Sequence, residues 1–149
     1  MRAVVQRVSE ARVSVDGAVE GAIGRGLLLL LGIRGDDTAA DAHYILNKTL
    51  DLRVFPDAEG KMNRSLREAG GGLLVVSQFT LYGDCRKGRR PSYSDAMDPV
   101  RAETAYGEFV RLARETWPDV ATGRFQAMMD VHLVNDGPVT LLLDSRKTF

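Results

Sequence analysis

Arg12-Val13-Ser14-Val15-Asp16-Gly17-Ala18-Val19-Glu20-Gly21-Ala22-Ile23 decides how the rest of the chain is read. Asp-Gly between two valine-rich runs is a type I′ hairpin signal, because both central residues of that turn need positive φ. The chain therefore opens as antiparallel sheet, with residues 2–8 belonging to the same valine-rich strand region. After Gly24-Arg25-Gly26 comes a leucine run, Leu27 to Leu31, with the length and composition of a buried strand. Asp37 or Thr38 can cap a helix in which Ala42, Ile45, Leu46 and Thr49 recur at helical spacing. Leu52 to Phe55 reads as a strand stopped by Pro56-Asp57, and a short helix fits Ser65 to Ala69. Leu73 to Leu81 is apolar and β-branched until Ser77, which predicts a buried strand turning polar at its end. Asp98-Pro99 starts the main helix, whose stripe of Ala102, Ala105, Tyr106, Phe109, Leu112 and Ala113 runs to Trp117-Pro118. Met128 to Asn135 and Val139 to Leu143 read as a strand pair interrupted by Asp136-Gly137-Pro138. Seven or eight strands and two main helices, segregated along the chain, predict an α+β fold. We expect an antiparallel or mixed, barrel-like sheet rather than a doubly wound parallel one.

Residues 1–149 fit one domain, since a chain of this length buries roughly 68–70% of its extended surface around a single core. No repeat or linker divides it. No stretch is long and apolar enough to span a bilayer, and the first residues lack a signal-peptide pattern, so a cytoplasmic protein with no membrane partner is expected. One cysteine, Cys85, agrees with a reducing compartment. The 20 basic and 20 acidic residues cancel, so any nucleic-acid contact must be local. The one basic run is Arg86-Lys87-Gly88-Arg89-Arg90, which reads as an exposed loop beginning six residues after Thr80.

Several chemistries are poorly supplied. Two histidines, His43 and His132, and one cysteine offer no metal-ligand spacing, and no metal or other cofactor is expected. Neither Gly24-Arg25-Gly26 nor Gly70-Gly71-Gly72 matches a phosphate-cradling loop. His43 falls in the first helix; His132 shares a strand face with Asp130 and Val134, a partly exposed position rather than that of a base. Two segments remain. Ser77-Gln78-Phe79-Thr80 puts three hydrogen-bonding side chains at the end of an apolar strand, and Asn135-Asp136-Gly137-Pro138 puts glycine and proline between two strands. Each alone could be an ordinary strand end or turn. Together they offer backbone donors and acceptors at a rigid edge.

These two segments, as Ser77-Gln78-Phe79-Thr80-Leu81 and Asn135-Asp136-Gly137-Pro138-Val139-Thr140, resemble the signature motifs of the D-aminoacyl-tRNA deacylases. Met1 to Val8, Arg90-Pro91-Ser92-Tyr93 and Thr122-Gly123-Arg124-Phe125 followed by Met128-Met129 also resemble that family, so the likeness runs the whole chain in order. It implies a homodimer with each active site at the subunit interface, the Ser77–Thr80 segment of one subunit meeting Gly137-Pro138 of the other. The implied substrate is the ester at the 3′ end of aminoacylated tRNA, and the implied purpose is chirality proofreading. Ser77, Gln78, Phe79 and Thr80 are the implied catalytic residues, with backbone N–H groups near Phe79 and Thr80 as oxyanion donors. The 2′-hydroxyl of the terminal ribose would take part, with the protein mainly positioning the ester; Thr80 could act as a side-chain nucleophile or as a backbone donor, and with no base in view the first is the weaker reading. Gly137 and Pro138, joined by a cis bond as in the family, would exclude L side chains, so that D-aminoacyl and glycyl esters, including glycine mischarged on tRNA(Ala), are cleaved. Arg7 would hold the Gly-Pro loop and Met129 pack near it. Gln126 and Met128 depart from the family's usual glycine and aspartate near the 3′-adenosine. The competing reading is a non-catalytic RNA- or DNA-binding barrel.

Overall fold

A computed structural model describes all 149 residues. The Asp-Gly hairpin forms where the sequence places it: Asp16 and Gly17 have φ of 49° and 80°, and they join β1 (Arg2–Val15) to β2 (Ala18–Ile23). The chain then runs through β3 (Gly26–Gly32) and α1 (Ala39–Asp51), capped by a reciprocal Thr38–Asp41 capping box. Next come β4 (Phe55–Pro56), β5 (Met62–Arg64), α2 (Leu66–Ala69) and β6 (Gly72–Ser77). A 3₁₀ turn, Phe79–Tyr82, precedes α3 (Pro99–Thr116), and β7 (Val120–Thr122) and β8 (Asp130–Asp144) complete the chain. No helix is long and apolar enough to cross a membrane.

The sheet is mixed. Strand β1 pairs antiparallel with β2 and β3 on one edge and with β8 on the other, while β3, β6 and β7 run parallel. It curls into a nearly closed barrel because glycines let backbones touch: a Cβ on Gly21 would lie 2.3 Å from the Thr122 carbonyl oxygen, bringing β2 against β7. A larger core lies under the helices, where Leu27, Leu29, Leu31 and Val75 meet Ile45, Leu46 and Phe109. A smaller one, with Leu28, Leu74, Val76, Val8, Ala11 and Val13, occupies the other face. Period-two alternation explains why successive leucines of β3 divide between the two.

The mixed, barrel-like α+β architecture is the one the sequence predicts, with α2 as a third, short helix. Three local expectations change, and two short strands are added. The strand expected over Leu73 to Leu81 stops at Ser77, because the chain turns into the 3₁₀ segment. The strand expected at Leu52 to Phe55 is only Phe55–Pro56, paired with β5. Strands β5 and β7 have no counterpart in the sequence reading. The expected pair at residues 128–143 is one strand, β8, both halves of which pair with β1. Between the halves, Asn135 to Thr140 advances five residues while Val8 to Gln6 advances two, so residues 136–139 bulge outward.

Tyr106 ties α3 to the sheet by donating from its hydroxyl to the Val75 carbonyl at 2.9 Å. Burial pushes its pKa up from 10.0 to about 12. A raised folded-state value means this contribution is intact below the unfolded value and is lost as pH rises through the folded one. Unfolding monitored between pH 9 and 12 should therefore show stability falling by about 2–3 kcal/mol, at roughly 1.4 kcal/mol per unit. Tyr106→Phe should remove this part of the fall and leave that of Tyr82, whose pKa burial also raises, and an unchanged alkaline limb would contradict it.

Candidate active site

The end of β6 opens into a cavity of about 670 Å³. Val76, Ser77, Gln78 and Phe79 form one wall, Tyr93 and residues 96–99 a second, and residues 125–129 a third. Most of this lining is apolar, with polar groups confined to the strand end and a few neighbours, as ligand pockets usually are.

Backbone geometry at the strand end follows from the turn into the 3₁₀ segment. Gln78 donates its N–H to the Leu31 carbonyl at 2.7 Å, and the first bond of the turn runs from Leu81 N–H to the Gln78 carbonyl at 3.2 Å. The N–H groups of Phe79 and Thr80 lie before that first bond, in the positions that a helical turn leaves without an internal acceptor. Phe79 is 57% exposed and meets Tyr93 edge-on, ring centroids 5.1 Å apart. The Thr80 hydroxyl accepts from Gln78 Nε2 and does not line the cavity. Ser77, Gln78, Phe79 and Met129 are thus brought to one cavity; Thr80 sits just outside it.

Gly137, Pro138 and Arg7 stand elsewhere in the subunit, absent from the cavity lining. Gly137 has φ of 127°, and the Gly137–Pro138 peptide is cis. Both residues are exposed at the tip of the β8 bulge. Beneath them Arg7, 9% exposed, donates from Nε to the Asp136 carbonyl at 3.1 Å and forms an ion pair with the Asp136 carboxylate, also 3.1 Å from Nε. Its Nη1 donates to the Val54 carbonyl. Asn135 donates from Nδ2 to the carbonyls of Arg7 and Val139, both at 3.0 Å. A loop with exposed glycine and proline at its tip is thus held from below by part-buried polar bonds.

Neither histidine lines the cavity, and both are exposed. No three His, Cys, Asp or Glu side chains gather in a way that could hold a metal ion. Gln126, at φ of 60°, and Met128, 92% exposed, both face the cavity rim. Sequence reasoning did not find the wall made by Ala96, Met97, Asp98 and Pro99. Its only local signal is a helix start, and it reaches the site through the Met97 N–H bond to Ile33 at 2.9 Å.

Comparison with known proteins gives this arrangement a context. A protein of Syntrophobacter fumaroxidans is 62% identical over the full length of both chains, and one of Syntrophotalea carbinolica is 60% identical, again over both full lengths. Both are named D-aminoacyl-tRNA deacylase. The solved structure of a c-Myc DNA Unwinding Element Binding Protein is 43% identical, with a TM-score of 0.92 over 97% of this chain and 98% of that one. A probable eukaryotic D-amino acid tRNA deacylase, 18% identical, shares the fold with a TM-score of 0.81 over 95% of this chain and 97% of its own. Fold and relatives define the class as a barrel-like hydrolase. The family model of D-Tyr-tRNA(Tyr) deacylase matches residues 4–144, and the chain belongs to that family.

Proposed function

We propose that this enzyme hydrolyses the ester joining a D-amino acid to the 3′-terminal ribose of tRNA, and that its site is completed by a second copy of the chain. The observation that carries the second half is the separation of the motifs. The cavity holds Ser77, Gln78 and Phe79, while the Gly137-Pro138 loop is braced and exposed away from it. Strand β8 also has a free outer edge, whose unpaired backbone groups suit a partner. In the dimer the loop of one subunit enters the cavity of the other and occupies the space an L side chain would need. A D side chain points away, and glycine has none, so glycyl esters such as glycyl-tRNA(Ala) are also cleaved.

Water adds to the ester carbonyl, the N–H groups of Phe79 and Thr80 hold the developing oxyanion, and the bond to the ribose oxygen breaks with a proton delivered to that oxygen. The neighbouring 2′-hydroxyl is the group placed to relay that proton. Donors preorganised in this way are worth about 2.7–4 kcal/mol each. Since the work falls on backbone, Thr80→Ala should keep single-turnover deacylation within about threefold of the parent, whereas a threonine nucleophile would lose nearly all of it.

The test is turnover of D-tyrosyl-tRNA against L-tyrosyl-tRNA by the purified protein. Loss of the D ester alone is expected; hydrolysis of neither, or of both equally, defeats the reading. A non-catalytic nucleic-acid-binding barrel has one observation in its favour: the 43% identical protein is named for binding a DNA unwinding element. That reading predicts binding without ester loss.

A further inference from the structure

Residues 83–93 form a hairpin that rises from the cavity rim. At its base Asp84 and Ser92 exchange backbone bonds of 2.7 and 3.0 Å. Tyr93, on the cavity wall, packs against Phe79, so the base of the hairpin is fixed to the strand end that carries the candidate oxyanion donors. At the tip Gly88 has φ of 68° and reverses the chain.

The charges are unevenly used. Arg86 folds back onto Asp84, with contacts of 2.8 and 2.7 Å to its two carboxylate oxygens. That pairing holds the Asp84 carboxyl down at about 2. Lys87, Arg89 and Arg90 are exposed, and no carboxylate or carbonyl bonds to any of them. Many surface arginines elsewhere meet a carboxylate, as Arg67 meets Asp51 at 2.8 Å and Arg146 meets Asp36 at 2.7 Å. Three unneutralised cations within four residues, on a chain with no net charge, make this tip a local exception.

We propose that this hairpin is an arm for the phosphates of the single-stranded 3′ end of tRNA, with Lys87, Arg89 and Arg90 as its contacts. The inference rests on the reading of the cavity as the site of the terminal aminoacyl ester. A strand whose last residue enters the cavity must leave across its rim. Five residues from Gly83 to Gly88 can reach at most about 17 Å, the span of the last few nucleotides, before the acceptor helix begins. Arginine suits such contacts because its planar fork matches phosphate. Arg86 is the geometric support, since its bonds to Asp84 stiffen the arm.

The experiment compares the parent with the triple variant Lys87→Ala/Arg89→Ala/Arg90→Ala. Binding of uncharged tRNA is followed by fluorescence anisotropy between 50 and 200 mM NaCl, alongside hydrolysis of D-tyrosyl-tRNA and of D-tyrosyl-adenosine, which has no phosphates. The variant should bind tRNA about 10- to 100-fold more weakly. Its slope of log affinity against log salt should fall by about 2, for three lost contacts at roughly 0.7 each on a single strand. KM for D-tyrosyl-tRNA should rise in step, with kcat unchanged and D-tyrosyl-adenosine cleaved as before. For tRNA trimmed of its last three nucleotides the difference between variant and parent should vanish. Equal affinities and slopes overturn the proposal, as does an equal loss on trimmed tRNA or on a DNA duplex, which would assign the cations to double-stranded or unspecific binding. If the parent cleaves no ester yet the variant alone loses affinity for the 3′ end, the arm stands and the deacylase reading falls. If the parent binds no tRNA, both fall.

Discussion

Arg7→Ala is expected to abolish deacylation of a D-aminoacyl ester to within assay background and to lower stability by about 3 kcal/mol. The guanidinium is buried, makes two hydrogen bonds, to the Asp136 and Val54 carbonyls, and pairs with the Asp136 carboxylate. Removing one member of a buried charged pair costs about 3–5 kcal/mol, because the remaining groups keep their desolvation and lose their partner. The lower end applies, since the Asp136 side chain is 46% exposed and water can take over part of the interaction. The functional loss should exceed the stability loss. Nothing else beneath Gly137 substitutes for the Arg7 fork, whose Nη2 lies 3.0 Å from where a Gly137 Cβ would stand. Arg7→Lys retains the charge but not the paired donors, and should recover most of the stability and little of the activity. Denaturant titration and single-turnover hydrolysis on the same preparations separate these effects. Full activity in a folded Arg7→Ala protein would mean that the loop keeps its shape unaided.

A larger effect on folding is expected from Gly26→Ala. Its Cβ would lie 1.9 Å from the Gly72 carbonyl oxygen and 2.8 Å from both the carbon and the nitrogen of that residue. The contact is backbone against backbone, so no side chain can rotate away. Gly26 and Gly72 are the first paired residues of β3 and β6, and separating them would pull apart the parallel ladder that ends at Ser77. A cost above about 4 kcal/mol, in the range reserved for severe lesions, should leave most of the protein unfolded or insoluble. Gly24→Ala, two residues earlier with nothing within 4 Å, is the control and should fold normally. A soluble Gly26→Ala protein melting with the parent would show that the ladder can shift to admit the methyl group.

These glycines also mark where sequence reading stops. The Asp16-Gly17 hairpin, the Thr38 and Asp98 helix starts and the strand before Ser77 are legible because each depends on residues within a few positions of one another. Closure of the barrel depends on Gly21 meeting Thr122, a contact no local pattern encodes. Strand β7, three residues long, is too short to show a period. Gly137-Pro138 reads as a turn because glycine and proline usually make one, yet the strand resumes against the same neighbour after the bulge. Of the residues lining the candidate cavity, Ser77, Gln78, Phe79 and Met129 are those that motif likeness names as site residues. The wall at residues 96–99 was not legible, since it arrives by a tertiary bond to Ile33. Arg7 stood out in the sequence only through likeness, and its contacts to Asp136 and Val54 span more than forty residues each.

The bulge in β8 has a second consequence. Before it, Val131 and Leu133 pack on the smaller core; after it, Leu141 and Leu143 pack on the one beneath the helices. Its three extra residues, an odd number, invert which face the strand presents. Removing all three would leave Asn135 opposite Val8 and Thr140 opposite Gln6 across a regular ladder, and each flanking side chain would stay on the face its β1 partner already occupies. By strand register alone the barrel does not depend on the loop: a lineage could lose it whole and keep its sheet.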